Sequence, residues 1–189
     1  YALVHGGSSH WSDSAGIVAA DPAKPPKAIY RENGKEATLP KDFFSSDFFT
    51  SRLIEYIDAG KDTGKPFFAY LAFTAPHWPL HAHDADIAKY QARYKDGYDA
   101  LRRERLERMK KLGLVAADTP VFEGHPLWPK WDSLSAAEKE SEARRMAVYA
   151  AMVDNMDQNV GRMLDYLKKT GQLDNTFIFF MSDNGADGN

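Results

Sequence analysis

The sequence predicts an α/β fold that forms part of a mixed, mostly parallel sheet with helices on its faces. Two unbroken apolar runs, 67–73 and 176–181, lack polar alternation, which is typical of strands buried on both faces. A long helical pattern at 136–169 lies between them. Because a helical crossover joins parallel strands, both runs are expected to end at the same edge of the sheet.

Composition indicates a folded globular chain and excludes several classes of function. The 189 residues are 43% hydrophobic and 27% charged, with a net charge of -3. Acidic and basic residues are mixed, so the basic surface of a nucleic-acid-binding protein is missing. No apolar run approaches the roughly 18 residues of a membrane helix. The lack of cysteine excludes disulfides, thiolate metal sites and a cysteine nucleophile within this chain.

The start of the chain indicates an internal piece of a longer protein, since Tyr1 is not an initiator and no signal-peptide pattern follows it. Residues 1–42 are predicted to be loop-rich, with a short hairpin around Asn33-Gly34. His10 is a candidate for the lining of a substrate pocket. The alternative is a solvated loop histidine.

The next segment, 43–83, is predicted to contain a helix, a strand and a histidine-bearing loop. The helix covers about 46–59, with Ser45 or Ser46 accepting the free amides of its first turn and Gly60 supplying its stop. Its apolar residues share one face at helical spacing, so its role is structural.

A candidate functional histidine follows the first apolar run. His77 lies between Pro76 and Pro79, and the two prolines make this backbone stiff. A stiff loop at the end of a buried strand holds a side chain in place, so His77 is predicted to be functional, with a structural histidine as the alternative. His81 and His83 follow, but loop geometry does not put the three imidazoles on one face, which disfavours a zinc site.

Residues 84–134 are predicted to form a helical insertion. Asp84 is expected to cap its first piece, and a highly charged helix follows at 98–112. The mixed signs of that helix are typical of a solvated face rather than a phosphate-binding patch. Trp128 and Trp131 are expected to pack against the helices rather than to cover a pocket.

The last segment, 135–189, is predicted to contain a long helix, a strand and a metal loop. Ser135 and Glu138 have the spacing of a capping box, which opens the helix. The polar residues at 154–159 are expected to lie mostly on the surface, with one or two structural hydrogen bonds.

A carboxylate and an amide stand where the second apolar run must leave the sheet. Asp183 and Asn184 offer the hard oxygen ligands of part of a Ca²⁺ or Mg²⁺ site, and ligands bind outside the carboxyl ends of parallel strands. Asp-Asn-Gly is also good turn chemistry, which stays an alternative. If the two runs are neighbours, His77 and this pair share a crevice, and a cation beside an imidazole indicates hydrolysis of an anionic ester.

Several blocks resemble the central part of type I sulfatases, above all the bacterial arylsulfatases of the alkaline phosphatase superfamily. The blocks are 65–71, 75–80, 149–157, 160–162 and 181–186. Their order and spacing together are specific, and the resemblance extends over nearly the whole chain. It implies an alkaline phosphatase/sulfatase-like fold, with 1–189 an internal segment of one catalytic domain.

The resemblance also implies a role for each matching residue. Asp183 and Asn184 match ligands of an active-site Ca²⁺, and Asp183 also matches the residue that assists attack of a formylglycine hydroxyl on sulfur. His77 matches the histidine that binds the sulfate group near the leaving oxygen. His77 and Asp183 are therefore expected to be catalytic, and a small-molecule sulfate ester is the expected substrate.

The chain departs from the family pattern in several places. The formylglycine motif, an aspartate pair and further lysine and histidine positions are absent. Formylglycine is therefore expected upstream, in the remainder of the sulfatase chain, and this chain alone is predicted to be inactive. A phosphonate monoester or phosphodiester hydrolase of the same superfamily and a non-catalytic binding domain of that fold remain alternatives.

Overall fold

The structure is a computed structural model that describes residues 1–3, 8–15 and 26–185. Part of the loop-rich region 1–42 thus lies outside the described residues. The helices are α1 (Ser45–Gly60), α2 (Asp84–Tyr90), α3 (Gly97–Lys111) and α4 (Ala136–Lys169), and the strands are β1 (Ala2–Leu3), β2 (Tyr30–Glu32) and β3 (Lys35–Glu36). In these ranges, no helix combines the length and the apolar character that crossing a bilayer requires.

The predicted hairpin is formed by β2 and β3. Glu32 pairs with Lys35, which leaves Asn33 and Gly34 as a two-residue loop. Their φ angles are 52° and 80°, and two positive φ angles are what a type I′ turn requires. β1 pairs antiparallel with the other edge of β2, so the sheet order is β1-β2-β3.

The longest element is α4, whose 34 residues span about 50 Å. Its predicted capping box is confirmed: the Ser135 hydroxyl accepts from the Glu138 amide, and the Glu138 carboxylate accepts from the Ser135 amide at 2.8 Å. At the other end, Gly171 has a φ of 69° and the Gln172 amide donates to the Leu167 carbonyl at 2.8 Å. This is the Schellman pattern, so both ends of α4 are determined by nearby residues.

Two apolar clusters hold these elements together. The first joins α2 and α4 and consists of Ala75, Ala82, Ile87, Ala147, Ala151 and Met152. The second lies against the sheet and the start of α1 and consists of Ala15, Ala28, Tyr30 and Phe43. Ala75 and Ala82 flank the segment 76–81, so the loop that carries His77 is anchored by buried residues on both sides. We call residues 74–80 the His77 loop.

Two predicted helix caps are wrong. Phe44 occupies the N-cap position of α1 and makes no side-chain cap bond, because the Ser45 hydroxyl is hydrogen-bonded to the His10 ring instead. In α2 the N-cap residue is His83, and Asp84 is the first helical residue. A carboxylate there still lies at the positive end of the helix dipole.

The two predicted parallel strands do not form a sheet within the described residues. The structure has helices and a sheet, as the predicted α/β class requires, but that sheet is small, antiparallel and elsewhere in the chain. Segments 67–73 and 176–181 belong to no helix or strand. A strand needs a neighbour to accept and donate its backbone hydrogen bonds, and the described chain places none beside them. Phe68 and Phe177 are accordingly 96% and 91% exposed.

The insertion packs through one tryptophan. Trp131 is 7% exposed and lies against Gly97, the first residue of α3. Gly97 has a φ of 79°, and a Cβ there would lie 2.0 Å from Trp131 Cδ2. The predicted packing role is confirmed for Trp131. Trp128 is half-exposed and, with Tyr98 and Arg102, lines an open depression instead.

Candidate functional site

His77 is exposed, whereas Ala75 and Ala82, on either side of it, are buried. Its amide donates to the Thr74 carbonyl at 3.0 Å, which closes a tight turn. The peptide bonds Ala75–Pro76 and Trp78–Pro79 are both cis. The loop presents the His77 side chain to solvent, and its stiffness stays a prediction from the two prolines.

One nitrogen of the His77 ring is engaged within the loop. A carbonyl oxygen accepts only, so His77 Nδ1 carries the proton and donates to the Trp78 carbonyl at 2.7 Å. Nε2 has no hydrogen-bond partner in the part of the chain that the structure describes. A ring that donates through Nδ1 can also donate from Nε2 only as the imidazolium. In that form it offers one fixed N–H to an external oxygen.

His10 lies behind the His77 loop and is 1% exposed. Its Nε2 donates to the His77 carbonyl at 3.1 Å, and its Nδ1 lies 2.7 Å from the Ser45 hydroxyl. Burial lowers the pKa of His10, although the hydrogen bond to the His77 carbonyl acts in the opposite direction. The alternative of a solvated loop histidine is therefore wrong. Both ring nitrogens are occupied by protein atoms, so His10 supports the loop from inside.

The other two histidines of the series face different partners. His81 Nδ1 accepts from the His10 amide at 3.3 Å, and burial lowers the pKa of His81. His83 Nε2 lies 2.9 Å from the Asp47 carboxylate. Among the residues with described coordinates, no three acidic, histidine or cysteine side chains are grouped so that they could hold a metal ion. The structure does not bring the side chains of His77, His81 and His83 together as such a group.

Asp183 and Asn184 are exposed and contact each other. The Asn184 amide donates to Asp183 Oδ1 at 3.0 Å, and the Asn184 side-chain amide lies 3.4 Å from Asp183 Oδ2. The backbone bends at this pair, but neither contact is the bond to the amide two residues on that defines an Asx turn, so the turn alternative stays open. Within the ranges that the structure describes, no hydrogen bond or ion pair joins this pair to His77, so their convergence stays a prediction.

The donor chemistry of the pair fits a hard cation. A carboxylate and an amide oxygen are ligands that Ca²⁺ takes, and both side chains are accessible. Ca²⁺ takes about six to eight oxygens, so two residues supply only part of a site.

A buried polar network on α4 was missed by the sequence analysis. Asp47 of α1 accepts from Asn159 at 2.7 Å and from Asn155 at 3.2 Å. Asn155 and Asn159 are 4% and 1% exposed, so the expectation of a surface position is wrong for these two, while the expected structural hydrogen bonds are present. They lie four and eight positions after the buried Ala151, and this helical spacing is the signal that places them on the packed face.

The charge of Asp47 is stabilised by this network. Burial alone would raise the pKa of Asp47, but hydrogen bonds from Asn159, His83 and Asn155 hold it below its ordinary value. Because His83 directly follows the buried Ala82, the network ties α1, α4 and the segment that carries His77 into one unit.

Comparisons with known proteins agree on one family. A family profile described as Sulfatase matches residues 2–189. The chain is 44% identical to an uncharacterized sulfatase of Schizosaccharomyces pombe, over 100% of this chain and 34% of that protein. It is 37% identical to an arylsulfatase of Klebsiella aerogenes, over 98% of this chain and 39% of that protein.

A third relative has a broader name. The chain is 34% identical to the multifunctional alkaline phosphatase superfamily protein PehA of Trinickia caryophylli, over 80% of this chain and 29% of that protein. The chain therefore spans between 29% and 39% of the length of these three relatives.

Proposed function

Because the chain belongs to the sulfatase family, we propose that the protein containing it is a sulfuric ester hydrolase of the arylsulfatase type. The likeness to the arylsulfatase of Klebsiella aerogenes supports this class of reaction. The observation that carries the proposal is the exposed imidazole of His77, which is anchored through Nδ1 on a loop held by buried residues. The expected substrate is a small-molecule sulfate ester.

His77 is proposed to bind the sulfate group. With Nδ1 committed to the Trp78 carbonyl, the imidazolium form donates from Nε2 to an ester oxygen. That hydrogen bond strengthens as negative charge develops on the leaving oxygen, and proton donation at this position contributes about 10²- to 10⁴-fold to a rate. The stiff loop avoids the loss of conformational freedom that a mobile side chain would suffer on binding.

Asp183 and Asn184 are proposed to supply two ligands of a Ca²⁺ ion, with Mg²⁺ as the less suited ion. When bound, the cation supplies positive charge that stabilises the anionic oxygens of the ester. Asp183 is further proposed to assist a formylglycine nucleophile from the remainder of the protein. Since that nucleophile is proposed to lie outside this chain, the chain alone is expected to be inactive.

The remainder of the sulfatase domain is the proposed partner of segments 67–73 and 176–181. Their backbones lack ladder partners among the described residues, and their apolar side chains are largely exposed. Pairing with strands of the remainder would bury both faces, as the sequence pattern predicts. It would also place the residues that follow each strand at one edge of the sheet.

The test uses the protein at its native length. Purified with Ca²⁺, it is expected to hydrolyse 4-nitrophenyl sulfate, and His77→Ala is expected to lower kcat/KM by about 10²- to 10⁴-fold. His125→Ala is the matched control, because His125 is also an exposed histidine and lies in the insertion. Equal losses in the two variants would contradict the role of His77, and a wild-type protein without sulfatase turnover would contradict the proposed function.

A phosphonate monoester or phosphodiester hydrolase is the second candidate, supported by the likeness to the multifunctional superfamily member. Values of kcat/KM measured with sulfate, phosphodiester and phosphonate esters of the same phenol decide between the two. A preference for either phosphorus ester would replace the sulfatase assignment. Absence of turnover with all three would favour the non-catalytic binding domain.

A further inference from the structure

His10 has an environment that a glycine- and serine-rich loop does not predict. The ring is enclosed, with the aromatic side chain of Phe44 at a centroid distance of 6.2 Å and the ring of His81 at 6.0 Å. A buried imidazole must have its two nitrogens paired, because an unpaired polar group loses its hydration without replacement. Both nitrogens of His10 are paired, and one of them pairs with the His77 loop.

The partners determine the tautomer of His10. The His77 carbonyl only accepts, so the proton lies on Nε2, and in the neutral ring Nδ1 then accepts from the Ser45 hydroxyl. Burial favours the neutral form. The ring therefore has one orientation that satisfies both neighbours, and in that orientation its N–H points at the backbone of the residue proposed to bind sulfate.

The backbone carbonyl and the backbone amide of His10 also form hydrogen bonds. Its carbonyl accepts from the Ser45 amide at 2.9 Å, at the first residue of α1. Its amide donates to His81 Nδ1 at 3.3 Å, just beyond the His77 loop. His10 thus links the start of α1 to the middle and the far end of the segment 74–81. No other described side chain is hydrogen-bonded to the His77 carbonyl.

We propose that His10 is a positioning residue, which holds the His77 loop through the Nε2–H···O=C bond and so sets where the His77 imidazole meets the substrate. The inference rests on the proposed function, in which His77 binds the sulfate group. A small displacement of a substrate-binding group costs up to about 10²-fold in rate, so loss of this hydrogen bond reaches the reaction without direct contact between His10 and the substrate.

Three variants of the native-length protein separate positioning from general stability. His10→Phe keeps the ring volume and removes the donor, and it is expected to lower kcat/KM for 4-nitrophenyl sulfate by about 10- to 100-fold. His10→Gln keeps an N–H near the Nε2 position, and it should restore most of the rate. Tyr30→Phe is the matched control: it removes a buried side-chain hydrogen bond, that of Tyr30 with Ser8 at 3.3 Å, away from the loop, and should leave kcat/KM unchanged.

Two further measurements test whether His10 affects the rate through His77. In a His77→Ala background, His10→Phe should cause no additional loss of rate, because its action passes through His77. Hydrogen exchange of the His77 amide should become about tenfold faster in His10→Phe, the protection of roughly one hydrogen bond, and stay unchanged in Tyr30→Phe.

The inference is overturned if His10→Phe leaves this exchange rate unchanged. It is also overturned if the variant lowers the rate equally with and without His77. A wild-type protein that does not hydrolyse the sulfate ester refutes the proposed function separately. In that case, faster hydrogen exchange of the His77 amide in His10→Phe still supports the conclusion that His10 holds the loop. An unchanged exchange rate rejects that conclusion.

Discussion

Replacement of Gly97 by alanine tests the packing of the insertion. Gly97 has a φ of 79°, in the left-handed region, where a residue with a Cβ is less stable by about 1–2 kcal/mol. The new Cβ would also lie 2.0 Å from Trp131 Cδ2, so the indole must move. Overpacking of this kind costs about 1–3 kcal/mol. Gly97→Ala is therefore expected to lower the free energy of unfolding by about 2–5 kcal/mol.

Gly113→Ala is the matched control for this prediction. Gly113 has a φ of 69°, and a Cβ there would meet no atom within 4 Å. Only the backbone contribution applies, so this variant should lose about 1–2 kcal/mol. Urea unfolding of the native-length protein, followed by tryptophan fluorescence, gives both values from the shift in midpoint at unchanged slope.

A third variant isolates the indole. When Trp131 is replaced by alanine, the further replacement of Gly97 by alanine should cost only the backbone contribution, because no ring remains to be displaced. The reasoning is refuted if Gly97→Ala costs no more than Gly113→Ala, or if the cost is the same with and without the Trp131 ring.

Three other predictions concern α4 and its contacts. Asn159→Ala removes a buried donor to Asp47 and should cost about 1–3 kcal/mol in urea unfolding, whereas Asp157→Ala, on the exposed face, should stay within about 0.5 kcal/mol. Because the folded pKa of Asp47 is lowered, its stabilisation is complete above the unfolded value of about 3.9 and is lost as the pH falls through the folded value. Carboxyl groups such as Asp99 and Asp154 also have lowered pKa values, so the loss of stability measured between about pH 5 and pH 2 should be smaller in Asp47→Asn than in wild type, and an equal loss is the contrary result. Ser135→Ala breaks the capping box and should cost about 1 kcal/mol, with faster hydrogen exchange at 136–139 as the local measure and no change there as the contrary result.

The elements that the sequence predicted well are those determined by near neighbours. The capping box of α4 involves residues three positions apart, and its end depends on one left-handed glycine. The Asn33–Gly34 hairpin needs two adjacent residues with positive φ. In each case the residue type that the geometry requires is visible in the sequence.

The features that were missed depend on contacts between distant residues. His10 lies 67 positions from His77 and 35 from Ser45, so nothing near His10 in the sequence indicates its burial. Asn159 is paired with Asp47 across 112 positions, and a polar side chain gives no sign of which partner it will find. Ser45 is a further example, because its hydroxyl is hydrogen-bonded to the distant His10 ring instead of capping α1.

The two apolar runs were predicted to be strands, and neither forms a strand among the described residues. Their composition predicts burial, but burial needs a second surface, and most of their side chains are exposed here. Segments 67–73 and 176–181 have no neighbouring strand among the described residues. The sequence of one strand shows a preference for sheet structure, but it does not specify which strands pair with it.

The bare state of these two segments has a consequence for the biogenesis of the protein. Both are rich in aromatic and branched side chains, carry no charge and contain no proline, a composition that favours pairing between copies of a chain. In the proposed fold, each segment offers an unoccupied edge to another newly made copy until strands of the remainder pair with it. The apolar residues proposed to be buried by those strands are therefore also the residues expected to promote self-association before pairing.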